Sequence, residues 1–237
     1  MTIGTTATAV ARAFTLVELL VVVAIIGLLA AIGFSAVSGM RSVASKTASV
    51  ANLKNLSTAI YSFAADNNGT LPKATNTAIS PNADGNSASH LQVQLINYLV
   101  KDRPSGTKWT LFVKALSYPA WLAFNKGTND NKCPAYIICK DYLFPDGGGG
   151  FIPFGTSSKN AMNLAQLQAS LERFKGQTNQ PYAVIEVDQK LYESATWGNP
   201  GWKNNISSNA LHGSARNVLY FDGSVRAVPV DQKPYPW

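Results

Sequence analysis

The sequence predicts an α+β protein in which one long N-terminal helix packs on a small antiparallel β-sheet head. An apolar stretch from Phe14 to Val37 contains Glu18 as its single charged residue, and an amphipathic segment follows it. Near the C-terminus, segments rich in β-forming residues flank Asp222-Gly223, the strongest hairpin signal in the chain. The order of these elements predicts this fold class.

The composition is that of a folded, exported and loop-rich protein. The 237 residues are 46% hydrophobic and 14% charged, which provides enough apolar material for a core and excludes wholesale disorder. The 18 glycines and 12 prolines suit a protein with many loops. The formal charge is +7, but the basic residues are scattered and form no nucleic-acid footprint, so no nucleic-acid partner is expected.

Residues 14–37 predict a retained membrane anchor that follows a short segment of polar and small residues, 1–13. These 24 residues, as a helix, match the thickness of the hydrocarbon core of a bilayer. A secretory signal peptide would have a shorter apolar region with a small-residue cleavage site after it, which is absent here. Arg12 on the N-terminal side places that end in the cytoplasm and the rest of the chain outside.

Glu18 needs an explanation, because a carboxylate at membrane depth is energetically costly and is usually matched by a partner. Two interpretations are open. In the first, Glu18 lies near the membrane interface and its side chain extends to water. In the second, a cut before Phe14 creates an α-amino group about 6 Å away along the helix, and the amine of a neighbouring copy neutralises the carboxylate. A negative side chain in the first turn also suits the helix dipole.

The segment RAFTLVELL, Arg12 to Leu20, resembles the class III leader and cleavage site of type IV prepilins and type II secretion pseudopilins. The resemblance implies that a prepilin peptidase cuts between Ala13 and Phe14 and N-methylates Phe14. It also implies that Glu18, fifth after the cut, pairs with the N-terminus of an adjacent subunit during assembly. The family usually has Gly before the cut, where this chain has Ala13, so the efficiency of cleavage stays open.

The helical pattern continues beyond the apolar run. Apolar residues recur there at three- and four-residue spacing, which places them on one face of a helix: Val50, Leu53, Leu56, Ile60 and Phe63. No proline follows Phe14 before Pro72, so residues 14–66 can form one helix of ~80 Å, with Gly33 and Gly39 as points where it can bend.

The sequence Asp66-Asn67-Asn68-Gly69 predicts the end of this helix. The stretch NLKNLSTAIYSFAADNNGTLP resembles the handle helix of the pilin lollipop and its exit into the head. The predicted organisation is a leader (1–13), a transmembrane or filament-core helix (14–37), an amphipathic half of the same helix (38–66) and an α+β head (67–237).

Within the head, the pattern predicts short helices and strands separated by loops. Helices are expected at His90–Val100 and Ala161–Phe174. Strands are expected at Tyr182–Val187, Val218–Phe221 and Val225–Val228. Composition predicts loops at 73–90, 126–131 and 145–150, whereas residues 109–124 stay ambiguous.

A histidine, nine residues and Asp-Gly occur near the C-terminus as His212, Asp222 and Gly223. This spacing resembles the H-X9-DG element at the C-terminus of many prepilin-like bacterial proteins, and Glu186–Gln189 and Cys133-Pro134 resemble the same group less specifically. Asp222-Gly223 suits the positive-φ positions of a two-residue turn. His212 can then bind Asp222 or a backbone carbonyl and pin the loop. A catalytic or metal-binding role for His212 and Asp222 is the alternative.

Other candidate sites are weaker. Cys133 and Cys139 allow either a small disulfide loop or two reduced core cysteines, and they make a poor zinc site without a nearby pair of histidines. Asn129–Asn131 offers oxygen ligands without the spacing of a calcium loop. The resemblance to pseudopilins, which often bind calcium in a C-terminal loop, keeps calcium open but unassigned. Asp146–Gly150 lacks the Lys-Ser/Thr of a phosphate-binding loop, so no cofactor is expected.

The resemblance implies a structural subunit of a pseudopilus or type IV pilus-like filament in type II-like secretion, and not an enzyme. The expected partners are prepilin peptidase, other copies or other pilin-like subunits, an inner-membrane assembly platform, and membrane lipid before assembly. The expected location is the bacterial inner membrane with the head in the periplasm, and then a periplasmic or extracellular filament. One rival is a single-span anchored enzyme or ligand-binding protein that uses His212 and Asp222; another is a pilin that binds DNA or a surface ligand.

Overall fold

In the computed structural model, the described residues are 14–85, 90–102, 110–125, 134–139, 142–178, 180–193, 206 and 212–232. The predicted leader, Cys133 and the segment 129–131 lie outside them. The chain divides between Val43 and Ala44 into two compact units. We call the second unit, 44–237, the head unit.

One long helix dominates the N-terminal part of the chain. Helix α1 spans Leu16–Asp66 and continues through Gly33 and Gly39, so the predicted long helix is confirmed. Asn68 and Gly69 follow it with φ angles of 53° and 74°, and the Gly69 amide donates to the Ala64 carbonyl at 2.7 Å. Left-handed residues of this kind end helices by satisfying their last carbonyls, as the Asn-Gly sequence predicts.

In the first unit, the apolar side chains of α1 whose burial the structure describes are uncovered. Large apolar residues from Leu16 to Ile32 are 47% to 79% exposed. Among the helices of the described residues, none combines the length and the apolar character required to cross a membrane, so the span predicted at 14–37 is not confirmed.

The head unit contains short elements around the second half of α1. The other helices are α2 (Leu91–Gln94), α3 (Ile96–Leu99), a 3₁₀ turn (Lys114–Leu116), α4 (Pro119–Asn125), α5 (Leu164–Glu172) and α6 (Gln189–Glu193). The strands are β1 (Ala78–Ile79), β2 (Asn82–Asp84), β3 (Thr110–Phe112), β4 (Tyr136–Ile138), β5 (Tyr142–Leu143), β6 (Gly150–Phe151), β7 (Tyr182–Glu186), β8 (Ala215–Tyr220) and β9 (Val225–Pro229).

Five of these strands form one antiparallel sheet with the order β1-β4-β7-β8-β9, and β2-β3 and β5-β6 form two small ribbons. The predicted α+β class with a small antiparallel sheet is therefore confirmed. Strand β7 is central and buried at all five residues, which explains its continuous apolar run Tyr182–Ile185. The segment 73–90, predicted as a loop, instead contains β1 and β2.

The core lies between α1 and the sheet. The predicted apolar stripe of α1 supplies Leu53, Leu56 and Ile60, each at most 2% exposed. The sheet supplies buried residues of β4, β7 and β8 to the same cluster. The Tyr61 hydroxyl donates to the Phe221 carbonyl and fixes the C-terminal half of α1 to the end of β8. Burial of this stripe is the main reason that the helix and the sheet associate.

Candidate functional site

The first candidate site is the start of α1, where Thr15 and Glu18 form a capping box. The Glu18 amide donates to Thr15 Oγ1 at 3.2 Å, while the Thr15 amide and hydroxyl both donate to Glu18 Oε2 at 2.9 Å. This reciprocal arrangement satisfies backbone donors that have no partner in the first turn of a helix. Sequence reasoning assigned Glu18 to this turn but missed Thr15, although the Thr-x-x-Glu spacing was a readable signal.

Phe14 immediately precedes this capping box, and its side chain is 78% exposed. The hydrogen bonds that the structure gives to the Glu18 carboxylate use Oε2. Because Oε1 lies outside them, the capping box and an interaction with an amine can coexist. Ala13 lies outside the described residues, so cleavage between Ala13 and Phe14 stays a prediction.

The second candidate site is a buried polar cluster in the head unit, centred on Glu186 at the end of β7. Glu186 is 1% exposed and accepts a hydrogen bond from the Ser49 hydroxyl of α1. The Asn217 amide donates to Glu186 Oε2 at 2.7 Å, and Asn217 Nδ2 donates to Oε1 at 3.2 Å. We call Glu186, Ser49, Asn217 and His212 the Glu186 cluster; it joins α1, β7 and β8.

His212 completes the Glu186 cluster. Its Nε2 lies 3.2 Å from Glu186 Oε2 and 3.3 Å from Oε1, and both side chains are nearly inaccessible at 3% and 2% exposure. The His212 ring also packs against Tyr118, with ring centroids 5.9 Å apart. His212 therefore pins the segment before β8, as the structural interpretation expected, but its partner is Glu186, and the expected bond to Asp222 or a carbonyl is wrong.

A second buried ion pair lies beside this cluster. Arg216 donates from Nε to Asp188 Oδ2 at 2.8 Å and from Nη2 to Oδ1 at 3.2 Å, with both side chains at most 3% exposed. Asp188 Oδ1 also accepts from the Leu191 amide at 2.7 Å and so caps α6. Arg216 Nη2 donates further to the Val230 carbonyl at 3.0 Å. Glu186 and Asp188, two residues apart, thus each hold a different part of the C-terminal chain to β7.

Tyr136 faces the same region from β4, where it pairs in register with Glu186. Its hydroxyl is buried without a hydrogen-bond partner among the described residues. Burial, and then the negative charge of Glu186, raise the pKa of Tyr136 well above its ordinary value, so the hydroxyl keeps its proton. A buried donor of this kind is a natural position for an ordered water molecule.

Asp222 and Gly223 lie in the turn between β8 and β9, apart from His212. The Gly223 amide donates to the Tyr220 carbonyl at 3.0 Å, and the Tyr220 amide donates to the Ser224 carbonyl at 2.9 Å, which leaves a three-residue loop. Gly223 alone in this loop has positive φ, at 77°. The predicted hairpin is present, but the prediction of two positive-φ residues is wrong, because this loop needs one left-handed residue.

The Asp222 side chain stabilises this turn. Its Oδ1 accepts from the Ser224 amide at 2.8 Å, and its Oδ2 accepts from Arg226 Nη2 at 3.1 Å. Partial burial acts to raise the pKa of Asp222, but the hydrogen bonds from Ser224 and the charge of Arg226 outweigh it and lower the pKa. The structure brings Asp222 and Gly223 together but does not bring His212 to them, so the described geometry offers no joint His212–Asp222 site.

The remaining predicted sites are not assembled in the described part of the chain. Cys139 is buried, but Cys133 lies outside the described residues, so the disulfide stays a prediction. Within the ranges that the structure describes, no group of three or more His, Cys, Asp or Glu side chains could hold a metal ion. Asp146, in the glycine-rich loop, forms an ion pair with Arg173.

Comparison with known families locates a match at the first candidate site. Residues 9–34, about a tenth of the 237-residue chain, match the family described as the prokaryotic N-terminal methylation motif. No curated protein and no solved structure matches the chain. The matched segment contains Phe14, Thr15 and Glu18. The match supports a type IV pilin-like protein, and it implies processing by prepilin peptidase and assembly with other pilin subunits.

Proposed function

We propose that the chain is a structural subunit of a pseudopilus or a type IV pilus-like filament, acting in type II-like protein secretion. Prepilin peptidase cuts between Ala13 and Phe14 and N-methylates the new terminus. The chain then waits in the bacterial inner membrane, with its head in the periplasm, until an assembly platform transfers it into a periplasmic or extracellular filament. The observation that carries this proposal is the methylation motif at residues 9–34.

The uncovered apolar surface of α1 supports the proposal. Thirteen large apolar side chains from Phe14 to Ile32 are each 47% or more exposed. An apolar patch of this size is unfavourable in water and marks a surface that binds lipid or protein. In the proposed cycle, residues 14–37 lie in the membrane before assembly and pack against the same segment of other subunits afterwards.

The geometry of Glu18 supports the proposed pairing between subunits. Thr15 holds the carboxylate through Oε2, so an amine can bind through Oε1 without displacing Thr15. The new α-amino group at Phe14 of an adjacent subunit is a cation of the required charge, and pairing removes the cost of an isolated carboxylate in an apolar environment. The same residue then has two roles, helix capping within its own chain and neutralisation of the neighbouring terminus.

A structural role is also proposed in preference to an enzymatic one, and the function needs no cofactor. Two features of the head support this choice. The His212 side chain is 3% exposed and bound to Glu186, which leaves little access for a substrate. Asp222 is bound in a turn by Ser224 and Arg226, residues of its own hairpin.

Mass spectrometry of the N-terminal peptide of protein purified from its native cells tests the processing step. The expected result is a chain that begins at Phe14 and carries one methyl group on its α-amino nitrogen. A mature chain that retains Met1, or that is cut at another bond, would contradict the proposal.

The variant Glu18→Leu tests the assembly step. We expect it to be processed and inserted in the membrane, but to be absent from sheared filaments, because the neighbouring amine has no anionic partner. Leu20→Ile, which changes the shape of an exposed apolar residue of the same helix without a change of charge, is the matched control and is expected in filaments at the native level. Normal incorporation of Glu18→Leu would remove the pairing argument.

A further inference from the structure

The head unit holds its own segment of α1 along one buried face of the helix. The face of α1 that packs in the head includes one row of residues that are each at most 2% exposed and spaced by three or four positions: Ser49, Leu53, Leu56, Ile60 and Ala64. The first member of this row is a serine, although the positions that follow it are apolar. Before it, Met40 and Val43 are 69% and 67% exposed. Ser45, one turn before Ser49, is half-buried, so complete burial of α1 side chains begins at Ser49, a polar residue.

A polar residue occupies this position because the Ser49 side chain contacts the buried carboxylate of Glu186. Ser49 donates its hydroxyl to Glu186, and it also accepts from Asn217 Nδ2 at 3.2 Å. A carboxylate that is 1% exposed is costly unless its oxygens are hydrogen-bonded, so each donor of Glu186 is coupled strongly to the others. Hydrogen bonds to a charged acceptor are also stronger than those between neutral groups.

We propose that the Glu186 cluster is a latch that closes on the Ser49 hydroxyl and so fixes the residue at which the head takes hold of helix α1. His212 and Asn217 hold the carboxylate from the side of β8. Among the residues that the structure describes, Ser49 is its sole hydrogen-bond partner from α1. The H-X9-DG spacing acquires a physical meaning here. His212 closes the latch before β8, and Asp222-Gly223 lies in the turn after it, so the nine intervening residues include all six residues of that strand.

The latch goes beyond the proposed function, since it concerns local opening of the helix and not filament assembly. Helices open locally where few buried contacts hold them, and the amides of such segments exchange rapidly with solvent. With the latch closed, local unfolding that begins in the exposed part of α1 stops at Ser49. With the latch open, the next contacts are Asn52, which donates to the Ser117 carbonyl, and the buried Leu53, so the turn that begins at Ser49 is held less firmly and opens more often.

Hydrogen–deuterium exchange of the full-length protein in detergent micelles tests the latch. In the native protein, slow exchange along α1 is expected to begin at the turn that follows Ser49. In Ser49→Ala, we expect the amides of residues 49–53 to exchange about tenfold faster, whereas β7 and β8 keep their native rates within about twofold. Ser57→Ala is the matched control, because Ser57 is another buried serine of α1 and does not bind Glu186.

The outcomes separate a latch from a general contribution to stability. Faster exchange confined to the turn at Ser49 supports the latch. Equal acceleration in α1, β7 and β8, or no acceleration in Ser49→Ala, overturns it. If Ser49→Ala does not fold, the native protein alone decides: slow exchange that starts several residues away from Ser49 overturns the latch, and a boundary at Ser49 supports it. None of these results depends on filament formation, so failure of the latch leaves the proposed function standing, and the reverse is equally true.

Discussion

Glu18 in the first unit and Glu186 in the head unit are both hydrogen-bonded carboxylates, but the chain satisfies them in different ways. Glu18 is exposed and takes its donors from Thr15, three residues away. Glu186 is buried and takes its donors from residues 26 to 137 positions distant along the chain. Local sequence therefore suffices to build the first site, whereas the second exists only after the sheet and α1 have packed.

The two carboxylates also differ in whether the apolar side chains around them are exposed or buried. Around Glu18, the apolar side chains of α1 are uncovered, and around Glu186 a continuous apolar cluster encloses the carboxylate. An exposed apolar surface is removed from water only by contact with other molecules. The apolar residues of a buried core are removed from water by their own chain. This contrast teaches that one helix can carry an assembly surface at one end and a folding surface at the other. Five experiments can break or sharpen the contrast.

The largest effect is expected from Arg216→Met, which leaves Asp188 buried beside β7 without its bidentate partner. An uncompensated buried charge costs about 3–5 kcal/mol, so the free energy of unfolding of the head should fall by this amount. Chemical denaturation of the full-length protein in detergent, followed by tryptophan fluorescence, measures the change.

The matched control for Arg216→Met is Arg226→Met. Arg226 pairs with Asp222, but the two side chains are 54% and 57% exposed, and such surface pairs contribute less than about 1 kcal/mol. Equal losses for the two variants would contradict the assignment of Arg216 and Asp188 to the interior.

A smaller loss is expected from His212→Ala, which removes one donor from Glu186 and the ring that packs on Tyr118. Hydrogen bonds to charged groups contribute about 1.5–3 kcal/mol, and we expect the head to lose stability within this range by the same denaturation measurement. His212→Gln retains a side-chain N–H donor and should recover part of the loss.

Asp222→Ala separates the contribution of Asp222 from that of His212. Because Asp222 holds an exposed turn and not the core, its replacement should destabilise the head by less than about 1 kcal/mol. If Asp222→Ala cost as much as His212→Ala, the two residues would have to act as one site, against the geometry described above.

Thr15→Ala tests the other side of the comparison, the local site at the start of α1. Loss of the capping hydroxyl should speed amide exchange in the first turn of the helix, residues 16–19, about fivefold, the usual effect of removing a threonine cap. Thr58→Ala is the control, since Thr58 lies within α1 and donates to the Lys54 carbonyl at 3.1 Å. Head stability should be unchanged in both variants, and a loss of head stability in Thr15→Ala would mean that the start of α1 is not a local site.

The smallest effect is a pH dependence of the β8-β9 turn. Because the folded pKa of Asp222 is lowered, its contribution is present above the unfolded pKa and is lost as the pH falls through the folded pKa. Amide exchange in the hairpin, corrected for the intrinsic rate, should therefore increase below about pH 4. Asp222→Asn should abolish this dependence; the same dependence in that variant would assign it to another carboxylate.

Much of the head could be predicted, and the failures have physical causes. The stripe Leu53, Leu56 and Ile60 and the apolar run of β7 follow from periodicity, which records burial directly. Strands β1 and β2 were missed because they are two and three residues long and lie in a segment of loop-like composition. The turn at Asp222-Gly223 was located correctly, but its length was not, since Asp-Gly suits both two- and three-residue loops.

The hydrogen-bond partners of the polar residues also fall into two groups, those that the sequence could indicate and those that it could not. The resemblance placed Glu18 in the first turn of α1, and Thr15 is within reach because both lie on that turn. Nothing in the spacing of His212 and Asp222 indicates that His212 belongs with Glu186, because antiparallel pairing of β7 with β8 creates that proximity. The role of Ser49 is harder still to predict from the sequence, since a serine in a helix is usually a solvent-exposed residue.

The sequence by itself determined the long helix, its uncovered apolar start, its end at Asn68 and Gly69, and the motif that supports a type IV pilin-like protein. Each of these depends on residues within a few positions of one another, so local propensity and periodicity are enough. Only the tertiary structure decided that Ser49, Glu186, His212 and Asn217 meet, and that His212 and Asp222 do not. Contacts between distant residues are set by the packing of whole elements, and that packing is a sum of many burial energies that no short motif records.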